Sequence, residues 1–179
     1  MTFKTQHFEP SDTMIVITGA DPVKRIITEI NGETAALEYA SLLGLGLDQL
    51  NPTVFSKNPF LLRIGGEWYV RSIQKANADN SLSMFSAIEE GLVLTIGKGV
   101  DIIRNFMDQM ALFETRIPRN HFFILCDCIL RKLELNNFGV IGEINRLLGS
   151  FNAIGFSTYG EQFDSVHVNQ TLTGVVIGG

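Results

Sequence analysis

Charged residues are scarce in this sequence, and long apolar runs are absent. Asp, Glu, Lys and Arg make up 18% of the 179 residues, whereas about 25% is usual in soluble domains. The deficit suggests that a partner domain or another copy covers more surface than usual. No apolar run reaches the ~18 residues of a membrane span, and residues 1–10 lack the apolar core of a signal peptide. We therefore expect a cytoplasmic protein without membrane contact.

Positive charge is also in short supply. The formal net charge is −5, and the basic residues are scattered along the chain. Nucleic-acid binding needs clustered Lys and Arg, because these displace counterions from phosphates. The same acidity disfavours an anionic membrane surface. Neither nucleic acid nor membrane is therefore expected as a partner.

Only two cysteines are present, Cys126 and Cys128, on either side of Asp127. In a strand they lie about 6.6 Å apart, too far for a disulfide with its Cβ separation of about 4.5 Å. A structural zinc site needs four ligands, and no second ligand pair is visible. Buried free thiols are the favoured interpretation. A thiol pair that is redox-active or ligates a metal or haem in a pocket stays an alternative.

Strand-like runs outnumber helical patterns and mostly form hairpins. Strands are predicted at residues 14–18, 24–30, 60–64, 67–73, 82–87, 92–96, 121–130, 151–158 and 166–177. Apolar stripes predict helices at residues 33–43, 100–114 and 138–148. Gly44 is expected to stop the first helix and Pro118 to end the second helical region. Residues 46–57 and 74–80 are predicted loops.

These elements predict an α+β domain, with a largely antiparallel or mixed β-sheet and about three main helices packed on it. Residues 1–12 are expected to form a polar leader. A single domain is expected over residues 13–179.

The catalytic patterns are incomplete. Gly97-Lys98-Gly99 lacks the spacing and the Ser or Thr of a phosphate loop. Asp164, Ser165 and His167 have triad residue types but no nucleophile elbow. We expect no catalytic residue and no metal site, and a protein that binds or senses rather than catalyses.

The last predicted strand carries a polar column. Alternation places His167, Asn169, Thr171 and Thr173 on one face, which is most simply a solvated face. The nearby segment 159–162 offers the other interpretation, a small binding site built from this loop and the polar face. Buried carboxylates and amides need partners, and a ligand with an amino group would suit them.

Several segments together resemble one family. They are residues 124–134 (ILCDCILRKLE), 155–162 (GFSTYGEQ) and 169–173 (NQTLT), with 7–10 (HFEP), 29–32 (EING), 35–40 (AALEYA) and 69–73 (YVRSI) before them. In this order the chain resembles the C-terminal region of FIST proteins, the sensory-input proteins of bacterial and eukaryotic signalling. The details look closest to the bacterial NosP-like subgroup.

The resemblance implies an intracellular bacterial sensory domain that binds a small ligand such as an amino acid. It also implies an N-terminal FIST region as a partner in the same protein, and we expect that region to be absent from this sequence. A first alternative is a haem-dependent nitric-oxide sensing module that regulates a histidine kinase or another output protein. The cofactor is unknown, and haem is possible in the full-length protein, with His7, His121 and His167 as candidate ligands.

A second alternative is a scaffold or dimerisation module without a ligand, and a homodimer is possible. For the ligand-binding hypothesis, Arg71 is a candidate carboxylate partner through its bidentate guanidinium. The full set of expected ligand contacts is Tyr159, Glu161, Gln162, Asn169, Thr171, Arg71, Cys126 and Cys128.

Overall fold

The computed structural model describes residues 1–116 and 122–178. The chain divides into two compact units. Unit 1 comprises Met1–His7 and Gly99–Gly179, and unit 2 comprises Phe8–Lys98. Among the described residues, no helix combines the length and the apolar character needed to cross a membrane.

Strands predominate over helices. The strands are β1 (Thr2–Thr5), β2 (Phe8–Asp21), β3 (Ile26–Ile30), β4 (Glu33–Thr34), β5 (Phe60–Ile64), β6 (Glu67–Arg71), β7 (Ile73–Ala76), β8 (Leu82–Met84), β9 (Val93–Gly99), β10 (Phe122–Cys128), β11 (Ala153–Thr158), β12 (Glu161–Phe163), β13 (Val166–Val168) and β14 (Leu172–Ile177). The helices are α1 (Ala35–Leu42), α2 (Pro52–Lys57), α3 (Ile102–Arg116), α4 (Ile129–Asn137) and α5 (Ile141–Gly149), with a 3-10 turn at Leu47–Gln49.

Unit 2 is built on one sheet with the order β6-β5-β9-β2-β3-β8-β7, and β4 pairs with β3. Alternation along β2 turns Ile15 and Ile17 into the core and leaves Met14 exposed. Helix α1 lies on this core through small alanines and through Tyr39, whose hydroxyl donates to the Asn58 carbonyl at 2.9 Å. This hydrogen bond satisfies the polar atom of a fully buried ring.

Unit 1 contains a four-stranded sheet with the order β1-β14-β10-β11. Strand β10 runs parallel to β11 and antiparallel to β14. Helices α3, α4 and α5 bury apolar side chains against one face of this sheet, around Phe123 and Leu125. Gly174 is needed at the centre because a Cβ there would lie 2.5 Å from the Ile124 carbonyl oxygen. The helices therefore pack on a face of the sheet where a glycine lets neighbouring atoms approach closely.

The predicted α+β class with largely antiparallel pairing is confirmed. Four described helices have eight or more residues, close to the three expected. Gly44 does stop α1, with φ +69°. The Gly44 and Leu45 amides donate to the Ser41 and Ala40 carbonyls, which is the Schellman pattern.

The loop predicted at residues 46–57 is wrong. It contains the 3-10 turn and α2, whose N-cap side chain, Asn51, accepts from the Thr53 and Val54 amides. Asn51-Pro52 reads as a turn signal, yet Asn at the N-cap with Pro at the first helical position is equally a helix start. The loop predicted at residues 74–80 is also partly wrong, because β7 occupies its beginning.

The strand predicted at residues 121–130 ends earlier than expected. Strand β10 stops at Cys128 and α4 follows at once. Pro118 and His121 lie outside the described residues. Residues 2–5 and the first part of β2, residues 8–12, are strand where a polar leader was expected, and the strand predicted at residues 14–18 lies within the same β2. A FIST C-terminal-type domain spanning residues 13–179 stays a prediction.

Replacing Phe123 by alanine should lower the free energy of unfolding by about 3–5 kcal/mol, because it removes a fully buried ring. That ring contacts Phe3, Phe113 and Phe151. Urea denaturation followed by circular dichroism measures the loss. Phe138→Ala is the matched control, since this ring is 41% exposed. Equal losses in the two variants would contradict the core assignment.

Candidate functional site

The candidate site lies where the parallel strands β10 and β11 end. Asp127 is paired with Ser157 in their register, and α4 begins two residues after Asp127. Ligands commonly bind beyond the carboxyl ends of parallel strands, because the connecting segments diverge there and leave a crevice. Polar side chains of unit 1 gather at this end of the sheet.

A cleft of about 320 Å³ opens beside these strand ends. Helix α5 forms one wall with Ile141, Asn145 and Leu148, which recur at helical spacing on one face. The remaining lining residues come from the sheet and from the flanking helix ends: Leu125, Asp127, Lys132, Gly149, Ala153, Gly155, Phe156, Ser157 and Leu172. The lining is therefore mostly apolar with a few polar groups, as is usual for small-molecule sites.

Two opposite charges line this cleft. The Asp127 side chain is 21% exposed, and its Oδ1 accepts from Arg131 Nη1 at 2.9 Å. Burial raises the pKa of Asp127, while the positive charges of Arg131 and Lys132 oppose that rise. The ammonium group of Lys132 lies 3.5 Å from Ser157 Oγ. The cleft thus offers a carboxylate and an ammonium over an apolar floor.

A second polar group surrounds Glu161, which is buried. Its Oε2 accepts from the Thr171 hydroxyl at 2.6 Å, and the Thr158 hydroxyl donates to Oε1. Burial raises the pKa of Glu161 and the two hydroxyl donors oppose the rise. Burial, followed by the negative charge of Glu161, also raises the pKa of the free thiols Cys126 and Cys128. Raised pKa values keep thiols protonated and weakly nucleophilic.

The polar column predicted on the last strand is wrong, because that strand is broken. Strand β13 ends at Val168 and β14 begins at Leu172, and Gln170 has φ +52°. Asn169, Gln170 and Thr171 are all buried, while His167 is exposed. Among the described residues the Asn169 Oδ1 atom has no hydrogen-bond partner.

The broken segment, residues 169–171 between β13 and β14, is held by hydrogen bonds to α4 and to the residue just before it. Cys128 N donates to the Thr171 carbonyl at 3.1 Å, and Gln170 Nε2 donates to Glu134 Oε2 at 3.1 Å. The other oxygen of Glu134 lies 3.1 Å from His7 Nε2, and both side chains are almost fully buried. His7 is therefore engaged by a carboxylate inside unit 1.

The eight residues expected to bind ligand are only partly gathered. Glu161, Thr171, Cys126 and Cys128 form the group just described. Asn169 is buried in the broken segment, Tyr159 is 94% exposed, and Gln162 is exposed on β12.

Arg71 belongs to β6 of unit 2, where burial lowers its pKa. None of the eight expected residues lines the cleft. The polar residues that do line it, and that were not expected as ligand contacts, are Asp127, Lys132, Asn145 and Ser157. The sequence feature that could have indicated this cleft is Asp127, a carboxylate inside an otherwise apolar strand.

The lining of the cleft does not fit haem. Haem iron is bound by His, Cys, Met or Tyr side chains, and the described residues around the cleft include none of these. In the described ranges, residues 1–116 and 122–178, no group of three or more His, Cys, Asp or Glu side chains could hold a metal ion. His121 lies outside those ranges.

Comparison with known proteins gives one family. The model of the FIST C domain family matches residues 35–164, which is more than half of the chain. Searches of curated proteins and of solved structures found no match.

Replacing Glu161 by glutamine should remove part of the pH dependence of stability. Folding raises the pKa of Glu161 above its ordinary 4.5, so the folded protein binds the proton more tightly. The wild-type free energy of unfolding therefore gains from Glu161 at low pH. That gain declines as pH rises through 4.5 toward the raised value. Glu161→Gln lacks this decline, which denaturant titrations at several pH values measure.

Glu89→Gln is the control, because Glu89 is exposed. Its pH profile should parallel that of the wild type. If Glu161→Gln also gave a parallel profile, the carboxyl group would not be perturbed by folding.

Proposed function

Because the chain belongs to the FIST C domain family, we propose that its cleft binds a small zwitterion such as an amino acid. FIST C domains are sensory domains found in signal-transduction proteins. The observation that carries the proposal is the pair of opposite charges, Asp127 and Lys132, at one apolar cleft of about 320 Å³.

The ammonium group of the ligand binds Asp127. Arg131 donates to one oxygen of this carboxylate, Oδ1. The Asp127 side chain is partly exposed, so its other oxygen is offered to the cleft. Ion-paired hydrogen bonds are the strong class in proteins, particularly where water is partly excluded. Arg131 also opposes the effect of burial on the pKa of Asp127. It therefore helps to keep the ammonium acceptor charged.

The carboxylate of the ligand binds on the α4 side, at the ammonium group of Lys132. Ser157 Oγ lies beside that lysine ammonium group. The remainder of the ligand packs against Leu125, Ile141 and Leu148. An apolar wall opposite a charged pair favours an amino acid with an aliphatic side chain over a sugar or a nucleotide. The cleft volume lies at the small end of ligand pockets, which begin at about 300 Å³.

The test is a thermal-shift screen of the full chain against amino acids. A ligand present at 100 times its dissociation constant stabilises the folded state by about 2.7 kcal/mol. For a domain of this size the melting temperature rises by roughly 5–10 °C. Titration calorimetry then measures the affinity of Asp127→Asn and Lys132→Gln, each expected to bind about 10- to 100-fold more weakly, because a charged contact is lost.

Asp164→Asn and Lys98→Gln are matched controls, because they make the same changes at exposed positions outside the cleft. Both should bind like the wild type. A hit whose affinity is unchanged in Asp127→Asn and lost in Glu161→Gln would contradict the cleft and support the Glu161 group instead. No thermal shift with any amino acid would contradict the proposed ligand class.

Binding should weaken on acidification. An ammonium ligand needs the ionised form of Asp127, and burial raises the pKa of this carboxyl above its ordinary 3.8. The affinity should therefore begin to fall at a higher pH than an exposed aspartate would impose. Calorimetric titrations between about pH 7 and pH 4 measure the profile. An unchanged affinity down to pH 4 would show that Asp127 does not hold the ammonium.

The other expectations from the resemblance stay predictions. They include the eight ligand contacts, the N-terminal FIST partner, the cytoplasmic location, and a histidine kinase or other output protein. Haem-dependent nitric-oxide sensing also stays a prediction for the full-length protein, although the cleft lining does not supply an iron ligand. The dimerisation alternative has an observation of its own at the edge of the unit 1 sheet.

A further inference from the structure

Strand β11 is an unprotected sheet edge. It is the terminal strand of the unit 1 sheet, and in the part of the chain that the structure describes only β10 pairs with it. Its sequence, AIGFST, contains no charged residue and no proline, and its register with β10 has no bulge. Natural edge strands usually carry at least one of these features, because a bare edge pairs with other chains. The opposite edge strand, β1, carries Lys4.

The outer face of the sheet next to this edge is apolar. Ile154 and Phe156 on β11 are 60% and 63% exposed, and Val175 on β14 is 38% exposed. Ile124 of β10 lies between them in register, opposite Ile154 on one side and Val175 on the other. Together they make an apolar row that runs out to the edge of the sheet, as interaction surfaces commonly do.

We propose that β11 pairs antiparallel with β11 of a second copy of this chain, around a two-fold axis at Gly155. Directly opposed residues in an antiparallel pair point to the same face. The axis at Gly155 therefore sets Ile154 opposite Phe156 of the second copy, and Phe156 opposite its Ile154. Pairs of aromatic and β-branched residues are among the favourable cross-strand pairs. Gly155 faces itself and leaves the two backbones free to approach.

A second copy fits this edge better than an unrelated strand does, because the edge is self-complementary. A two-fold interface needs the same patch to satisfy itself, and in this register both large apolar residues do so. The chain has a net charge of −5, yet β11 adds no charge to the contact. Two copies therefore meet there without like-charge repulsion across the strands. Six residues from each copy make a small interface, so we expect a weak, reversible dimer.

The dimer borders the proposed cleft, because Gly155, Phe156 and Ser157 of β11 also line it. The second copy would then extend the wall that these residues form. The dimer does not depend on the proposed ligand, and its test uses none.

Sedimentation velocity of the full chain from about 1 to 300 μM should show a reversible monomer–dimer equilibrium. The double variant Ile154→Lys/Phe156→Lys places like charges opposite each other in the proposed register. It should weaken the dimer by more than about tenfold. The double variant Ile154→Lys/Phe156→Glu places Lys opposite Glu in both pairs and should keep the dimer, more strongly at low salt. Val93→Lys, at an exposed position of β9 in unit 2, is the control and should dimerise like the wild type.

The Lys/Glu variant also tests the register. An axis at Phe156 would set Glu opposite Glu, and that variant would then dissociate. A wild-type chain that stays monomeric up to 300 μM would overturn the proposal. So would equal dimerisation of the Lys/Lys variant, or dissociation of a Lys/Glu variant that retains its native circular dichroism spectrum.

Discussion

Unit 1 depends on the pairing of carboxylates that lie at the end of a buried strand. Asp127, Glu134 and Glu161 come from β10, α4 and β12, and each has a partner. Arg131 follows Asp127 by one helical turn, whereas His7 after β1 and Gln170 before β14 reach Glu134 from distant parts of the sequence. A buried carboxylate without its partner costs several kcal/mol. Pairing these groups therefore fixes where β1, α4 and the segment before β14 lie relative to β10 within unit 1.

The three carboxylates differ in what remains free. Glu161 and Glu134 are 7% and 1% exposed, and both oxygens of each are engaged. Asp127 is 21% exposed and has one oxygen on Arg131. The same strand end thus carries two carboxylates committed to the fold and one that faces a cleft. This difference in exposure, rather than residue type, is what places the proposed ligand at Asp127.

Local patterns predicted most elements but not the site. Gly44 after an apolar stripe acts through the backbone of its own helix, so the sequence alone was enough to place it. The hydrogen bond from Thr171 to Glu161 joins two residues ten apart in sequence, and both were among the expected ligand contacts. The left-handed Gln170, by contrast, is held by Glu134. No pattern in residues 166–177 indicates that distant contact. The prediction of one uninterrupted strand with alternating faces was therefore wrong there. The cleft needs α5 over the sheet and was not predictable either.

In unit 1, the low fraction of charged residues shows as an exposed apolar face of the four-stranded sheet. One face of the four-stranded sheet carries the helices, and Gly174 lets Phe3 and the β10 backbone approach there. The other face exposes Ile154, Phe156 and Ile177, with Lys4 as a nearby charge on β1. Where one face of a sheet contacts water, the residues that point toward that face along each strand are normally polar. An apolar outer face that reaches an uncharged edge is therefore the surface on which a second layer or a second strand gains most free energy by covering it.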